Sequence, residues 1–106
     1  MGLKDEMVQE IVRRILSVAV PERVIVFGSA ALGKMTRDSD IDLLVLLEDA
    51  RRALEDSTRM RMALGELGVP FDVVVMSAKW FDDTKDLVGG LAYPAHHEGK
   101  VIYARP

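Results

Sequence analysis

The chain has 106 residues, of which 49% are hydrophobic, so it can fill one compact core and is predicted to be a single domain over residues 1–106. It has no cysteine, which excludes disulfides and thiolate metal sites. A net charge of −3 argues against direct nucleic-acid binding, and the lack of a signal peptide or membrane-spanning run favours a cytoplasmic protein without membrane attachment.

The first half of the chain predicts one helix followed by two strands. Apolar residues recur at helical spacing over residues 3–19, and Pro21 ends this helix. The β-branched run Arg23–Phe27 predicts a strand, and one helical turn is expected over residues 29–32. The nearly continuous apolar run Ile41–Leu47 predicts a central strand that is covered on both faces.

The second half predicts a helix, a strand, a further helical region and a last strand. These elements are expected over residues 49–67, 71–76 and 100–103, with a helix starting at Ser77 or Asp82 and a broken or kinked helix within residues 86–97. The order of elements predicts an α/β or α+β fold, with a small mixed β-sheet and helices packed on one face.

Gly28 and Ser29 directly follow the first predicted strand. Glycine lets a phosphate approach backbone N–H groups closely, and a following helical turn points its free N–H groups at the anion. The serine hydroxyl can donate one more hydrogen bond. An ordinary turn with serine as a helix cap explains the same pair, so the dipeptide alone does not indicate a function.

Asp40 and Asp42 open the second predicted strand, and alternate residues of a strand point to the same face. Carboxylates at this spacing repel each other unless a cation lies between them, and Mg²⁺ prefers a few carboxylates together with substrate phosphate oxygens. Asp42 lies within an apolar run, where an unpartnered charge is costly. Asp72 starts the next predicted strand. If the two strands are neighbours, three carboxylates converge at one sheet edge and can hold two divalent ions.

Other candidates are explained by ordinary structure. His96 and His97 adjoin Glu98, but neighbouring histidines point in different directions on regular structure, which favours exposed polar side chains over a metal site. Trp80 and Phe81 are expected to pack in the core and not to stack on a nucleobase.

The combination of Gly28, Ser29, Asp40, Asp42 and Asp72 resembles the nucleotidyltransferase superfamily. It looks most like the minimal nucleotidyltransferases of the polymerase-β-like group, small proteins often encoded beside a HEPN-domain partner. The family pattern is Gly-Ser, a spacer of about ten residues, and Asp-x-Asp at a strand start, with a later carboxylate on the next strand. The resemblance extends to the predicted closing strand and thus covers nearly the whole chain.

The resemblance departs from the family pattern at Leu32, where related sequences usually carry a basic residue. Lys34 and Arg37, in the adjacent predicted loop, are candidate replacements for phosphate binding. Solvated loop charges are the alternative interpretation of these two residues.

The resemblance implies a nucleotidyltransferase-like core and transfer of a nucleoside monophosphate, with AMP from ATP expected, to a hydroxyl group. Asp40 and Asp42 would bridge two Mg²⁺ ions, and Asp72 would bind the ion nearest the acceptor and help remove its proton. Gly28 and Ser29 would hold the β- and γ-phosphates of ATP or another nucleoside triphosphate.

The family context also implies an acceptor, because the chain is too small to hold a separate acceptor domain. A tyrosine of a HEPN toxin would be adenylylated, which makes this chain the antitoxin in a hetero-oligomer. One alternative is a non-catalytic module that neutralises its partner by contact. Another is a homo-oligomer that holds a small-molecule acceptor at its interface.

Overall fold

The structure, a computed structural model, describes residues 2–36 and 39–106. Within these residues, four strands form one mixed sheet in the order β3–β2–β1–β4. The strands are β1 (Arg23–Phe27), β2 (Ile41–Leu47), β3 (Phe71–Ser77) and β4 (Lys100–Ala104). Strand β1 pairs antiparallel with β2 and β4, whereas β2 and β3 are parallel.

The helices are α1 (Asp5–Leu16), α2 (Gly28–Ala31), α3 (Ala53–Leu64), α4 (Ala78–Thr84) and α5 (Ala92–Glu98), and a 3₁₀ turn (Gly65–Leu67) extends α3. The parallel pairing of β2 and β3 requires a crossover, which α3 provides. Across residues 2–36 and 39–106, no helix is long and apolar enough to span a bilayer.

Local hydrogen bonds explain where several helices begin. The backbone N–H of Arg51 donates to the Asp49 carboxylate at 3.0 Å, so a turn precedes α3 and the predicted start at residue 49 was too early. The Ser77 hydroxyl accepts from the backbone N–H of Trp80 at 3.0 Å, which makes Ser77 the N-cap of α4. Pro94 lies in the first turn of α5, where its missing N–H costs no helical hydrogen bond.

Both faces of the sheet are covered by helices. Helices α1 and α3 pack on one face, where the buried residues include Ile15, Val45 and Met60. Helices α4 and α5 cover the other face, in a cluster that includes Leu44 and Phe81. The mixed α/β fold was therefore predicted correctly, but the expectation that helices pack on one face was wrong. The reason is that strands β1 and β2 carry apolar side chains on both faces, and each face must be kept from water.

Candidate active site

The pairing register places two of the predicted carboxylates beside each other. Asp42 is the register partner of Phe27 on β1 and of Asp72 on β3. Because side chains alternate along a strand, Asp42 lies on the same face as Leu44, and Asp72 lies on the same face as Val74. The two aspartates thus point to one face from neighbouring strands, which lie about 4.8 Å apart.

Asp40 lies one residue before β2 and is exposed, as is Asp72, whereas Asp42 is partly buried. Burial raises the pKa of Asp42, and the nearby negative charges of Asp72 and then Asp40 raise it further. Asp72 and Asp40 therefore both lie close enough to act on the charge of Asp42. A cation among them would relieve both the burial cost and the repulsion.

The Gly28 turn packs directly against the Asp42 carboxylate. Gly28 is the first residue of α2 and has a φ of +68°, in the left-handed region. A Cβ at this position would collide with Oδ2 of Asp42. Gly28 is therefore required for the position of the carboxylate as well as for the turn. The sequence motif did not indicate this contact, because it depends on the β1–β2 register.

The chain after α2 folds back onto the Gly-Ser turn. The backbone N–H of Lys34 donates to the carbonyl oxygen of Ser29 at 2.8 Å, and the N–H of Gly2 donates to the carbonyl oxygen of Ala30 at 3.0 Å. The first of these bonds places the backbone of Lys34 next to the turn, and the side chain of Lys34 is exposed. Leu32, at the end of α2, is 46% exposed. Arg37, the second predicted phosphate-binding cation, lies outside the described residues.

The donor set of Asp40, Asp42 and Asp72 fits Mg²⁺, which prefers carboxylate and phosphate oxygens. In the described part of the chain, none of these three carboxylates forms a salt bridge. Divalent ions would thus supply the missing positive charge. The prediction of a metal site at this sheet edge rests on that match between donors and cation.

Solved structures share this fold at low sequence identity. A toxin–antitoxin complex with AMP-PNP contains a chain that matches with a TM-score of 0.60 and 19% identity, over 92% of this chain and 73% of that one. A mutant toxin–antitoxin complex, MntA–HpeT, matches with a TM-score of 0.58 and 17% identity, over 97% and 75%. A protein from Sulfolobus solfataricus, described as a nucleotidyltransferase, matches with a TM-score of 0.58 and 23% identity, over 94% and 82%.

None of the curated proteins is significantly similar to this chain in sequence. A family model, described as the nucleotidyltransferase domain, nevertheless matches residues 6–92. The matched range contains the Gly28 turn and the aspartates at the starts of β2 and β3. The chain therefore belongs to the nucleotidyltransferase domain family.

Proposed function

We propose that this chain, as one domain over residues 1–106, transfers a nucleoside monophosphate from a nucleoside triphosphate to a hydroxyl group. The observation that carries the proposal is the surroundings of the Asp42 carboxylate. It lies beside Asp72 in the strand register and against Gly28 in the turn. Carboxylates that can bind a metal ion therefore adjoin a turn that can bind phosphate. Membership of the nucleotidyltransferase family supports the same reaction class.

In this proposal, Asp40 and Asp42 would hold two Mg²⁺ ions, and Asp72 would help to hold the ion nearest the acceptor. Bound Mg²⁺ would neutralise triphosphate charge and favour deprotonation of the acceptor. Asp72 accepts the proton of the acceptor hydroxyl while the hydroxyl oxygen bonds to the α-phosphorus. The bond from that phosphorus to the bridging oxygen breaks, and its electron pair leaves with pyrophosphate.

The turn after β1 would hold the rest of the triphosphate. In this proposal the N–H groups of Gly28 and Ser29 donate to β- and γ-phosphate oxygens, and the Ser29 hydroxyl adds one more donor. Lys34 and Arg37 would contribute positive charge. The backbone hydrogen bond from Lys34 to Ser29 supports this role for Lys34, since it holds the lysine backbone next to the turn.

For the substrates, we propose ATP as the donor and a tyrosine of a HEPN-domain toxin as the acceptor. The chain would then be a cytoplasmic antitoxin that adenylylates its partner in a hetero-oligomer. Two of the similar structures are toxin–antitoxin complexes, one of them with AMP-PNP, which supports this choice. In the MntA–HpeT mutant, two aspartates that are two positions apart are replaced by glutamates, the same spacing as Asp40 and Asp42.

The test uses ATP labelled at the α-phosphate, Mg²⁺, and a HEPN-domain protein encoded beside this chain. We expect label to appear on the partner, and to be lost with Asp42→Asn, with Asp72→Asn, or when Mg²⁺ is omitted. The matched control is Asp49→Asn. Asp49 is an exposed aspartate just beyond the opposite end of β2, and it is paired with Arg51 at 2.8 Å.

Asp49→Asn should transfer label at the wild-type rate. Unchanged transfer by the Asp42→Asn variant would contradict the proposed metal ligands. If no nucleoside triphosphate labels the partner, the proposed transferase activity is wrong.

A second candidate function is favoured by one observation, the exposed Leu32 at the turn. An apolar residue there supplies no charge for a triphosphate, which suits a chain that neutralises its partner by contact alone. Toxin neutralisation that persists in the Asp40→Asn/Asp42→Asn variant, without label transfer, would select this second function.

A further inference from the structure

A second group of possible metal ligands lies apart from Asp40, Asp42 and Asp72. Asp86 lies in the connection between α4 and α5, and His96 and His97 lie in the last turn of α5. One ligand atom from each of these three residues lies within 4.8 Å of the other two. His96 and His97 are the only histidines in the chain.

One separation within this group equals that between two ligands of a bound metal ion. Nε2 of His97 lies 3.5 Å from Oδ1 of Asp86, which is too long for a strong hydrogen bond. Ligands bound to Zn²⁺ at about 2.0–2.1 Å in a tetrahedral site lie roughly 3.3–3.5 Å from each other. The observed distance therefore matches one edge of a zinc site without any rearrangement of these two side chains.

The two imidazole rings converge although they come from neighbouring residues. Their centroids are 4.9 Å apart, with the planes at 71°. The expectation that neighbouring histidines point apart was therefore wrong here, because both rings lie close to Asp86 from the preceding connection. That approach is a tertiary contact, which the pair of histidines alone does not reveal.

Each histidine ring contacts one aromatic side chain. The ring of His96 meets the buried Phe81 edge-on, at 6.1 Å between centroids. The ring of His97 lies 4.2 Å from that of Tyr93, one helical turn earlier. Ligands held by packing lose little freedom when a metal binds, which favours affinity.

We propose that Asp86, His96 and His97 form a binding site for Zn²⁺, with water as the fourth ligand. Two imidazole nitrogens and one carboxylate favour a first-row transition metal over Mg²⁺, and tetrahedral Zn²⁺ keeps an open position. The side chains of His97 and Asp86 are 43% and 74% exposed, which leaves access for the ion and for water. Bound zinc would tie the α4–α5 connection to the end of α5.

The test measures zinc binding to the full chain without a polyhistidine tag, by equilibrium dialysis in excess Mg²⁺. Excess Mg²⁺ competes for the all-oxygen sites and leaves the nitrogen-containing site to Zn²⁺. We expect one Zn²⁺ per chain. In NMR spectra, both imidazole signals should shift on zinc addition, and they are simple to follow because there are only two histidines.

Variants test the ligands individually. His97→Ala and Asp86→Ala should each weaken zinc binding by roughly tenfold or more, since second-shell losses alone cost about that much. Asp83→Ala is the matched control, because Asp83 is an exposed aspartate of α4 paired with Lys79 at 2.8 Å and lies outside the group. Zinc binding should be unchanged in this control.

Several results would overturn the proposal. They are a wild-type chain that binds no Zn²⁺, imidazole signals that do not move at saturating zinc, and unchanged binding by the His96→Ala/His97→Ala variant. The NMR result needs no variant, so it stands even if a substitution impairs folding. Zinc binding should also persist in Asp42→Asn, which separates this proposal from the proposed transferase function.

Discussion

Replacing Gly28 by alanine is expected to impose two separate costs on folding. The first is backbone strain, because the φ of +68° is in the left-handed region, which costs a residue with a Cβ about 1–2 kcal/mol. The second is the collision of the new Cβ with Oδ2 of Asp42. Overpacking of this kind costs about 1–3 kcal/mol, because the carboxylate or the turn must move.

Gly33 provides the matched control for the backbone cost. Its φ is +70°, nearly the same as that of Gly28, but a Cβ there would meet no atom within 4 Å. Gly33→Ala should therefore lower the free energy of unfolding by only about 1–2 kcal/mol. Gly28→Ala should lower it by about 2–5 kcal/mol, and the difference between the variants measures the contact with Asp42.

The assay is urea unfolding without divalent ions, for both variants in the wild-type and the Asp42→Ala backgrounds. Removing the Asp42 carboxylate takes away the two atoms closest to the new methyl group and leaves the Asp42 Cβ at an ordinary contact distance of 3.6 Å. In that background, Gly28→Ala should cost no more than Gly33→Ala. If both variants lose the same stability in the wild-type background, the close contact between position 28 and the Asp42 carboxylate is refuted.

Three further predictions concern charge, helix contacts and core packing. Asp42→Asn should increase stability at neutral pH without divalent ions. Because the folded-state pKa of Asp42 is raised, the wild-type chain loses stability as pH rises above the usual aspartate value of 3.8. The stability gained by Asp42→Asn, measured by urea unfolding, should increase with pH. A gain that does not change with pH would argue against the raised pKa of Asp42. Arg14→Ala should cost about 1–2 kcal/mol in the same assay, because Nη1 of this partly buried arginine donates to an α3 carbonyl oxygen at 2.9 Å. The exposed Arg13 is the control, and Arg13→Ala should leave the free energy of unfolding nearly unchanged. Phe81→Ala should cost about 3–5 kcal/mol because this ring is 1% exposed. Trp80→Ala should change the melting temperature little, because this side chain is 60% exposed. Similar losses of stability in the two variants would be inconsistent with the observed packing.

Local sequence patterns predicted most of the sheet and the placement of Asp42 beside Asp72 at its edge. Strands β1 and β2 have the predicted bounds, because their β-branched and apolar runs end at strong breaks: Gly28 after β1 and a polar stretch before β2. This placement could be predicted because Asp42 and Asp72 each stand at the start of an apolar strand. Their shared face still depended on the assumption, confirmed by the structure, that β2 and β3 are neighbours.

Contacts between distant segments could not be predicted in this way. The second face of the sheet is covered because α4 and α5 pack against it. This packing follows from the whole sheet and not from either short helix. The contact between Gly28 and Asp42 and the approach of Asp86 to the two histidines have the same origin. Each joins residues that have no periodic relation in the sequence.

The parallel pairing of β2 with β3 also has a consequence for stability. Asp42 and Asp72 become neighbours only after the chain has closed the loop that contains α3, and this closure costs entropy before the contact can form. A divalent ion that binds both carboxylates would therefore bind the folded chain and not the open one. It would raise the free energy of unfolding as its free concentration rises.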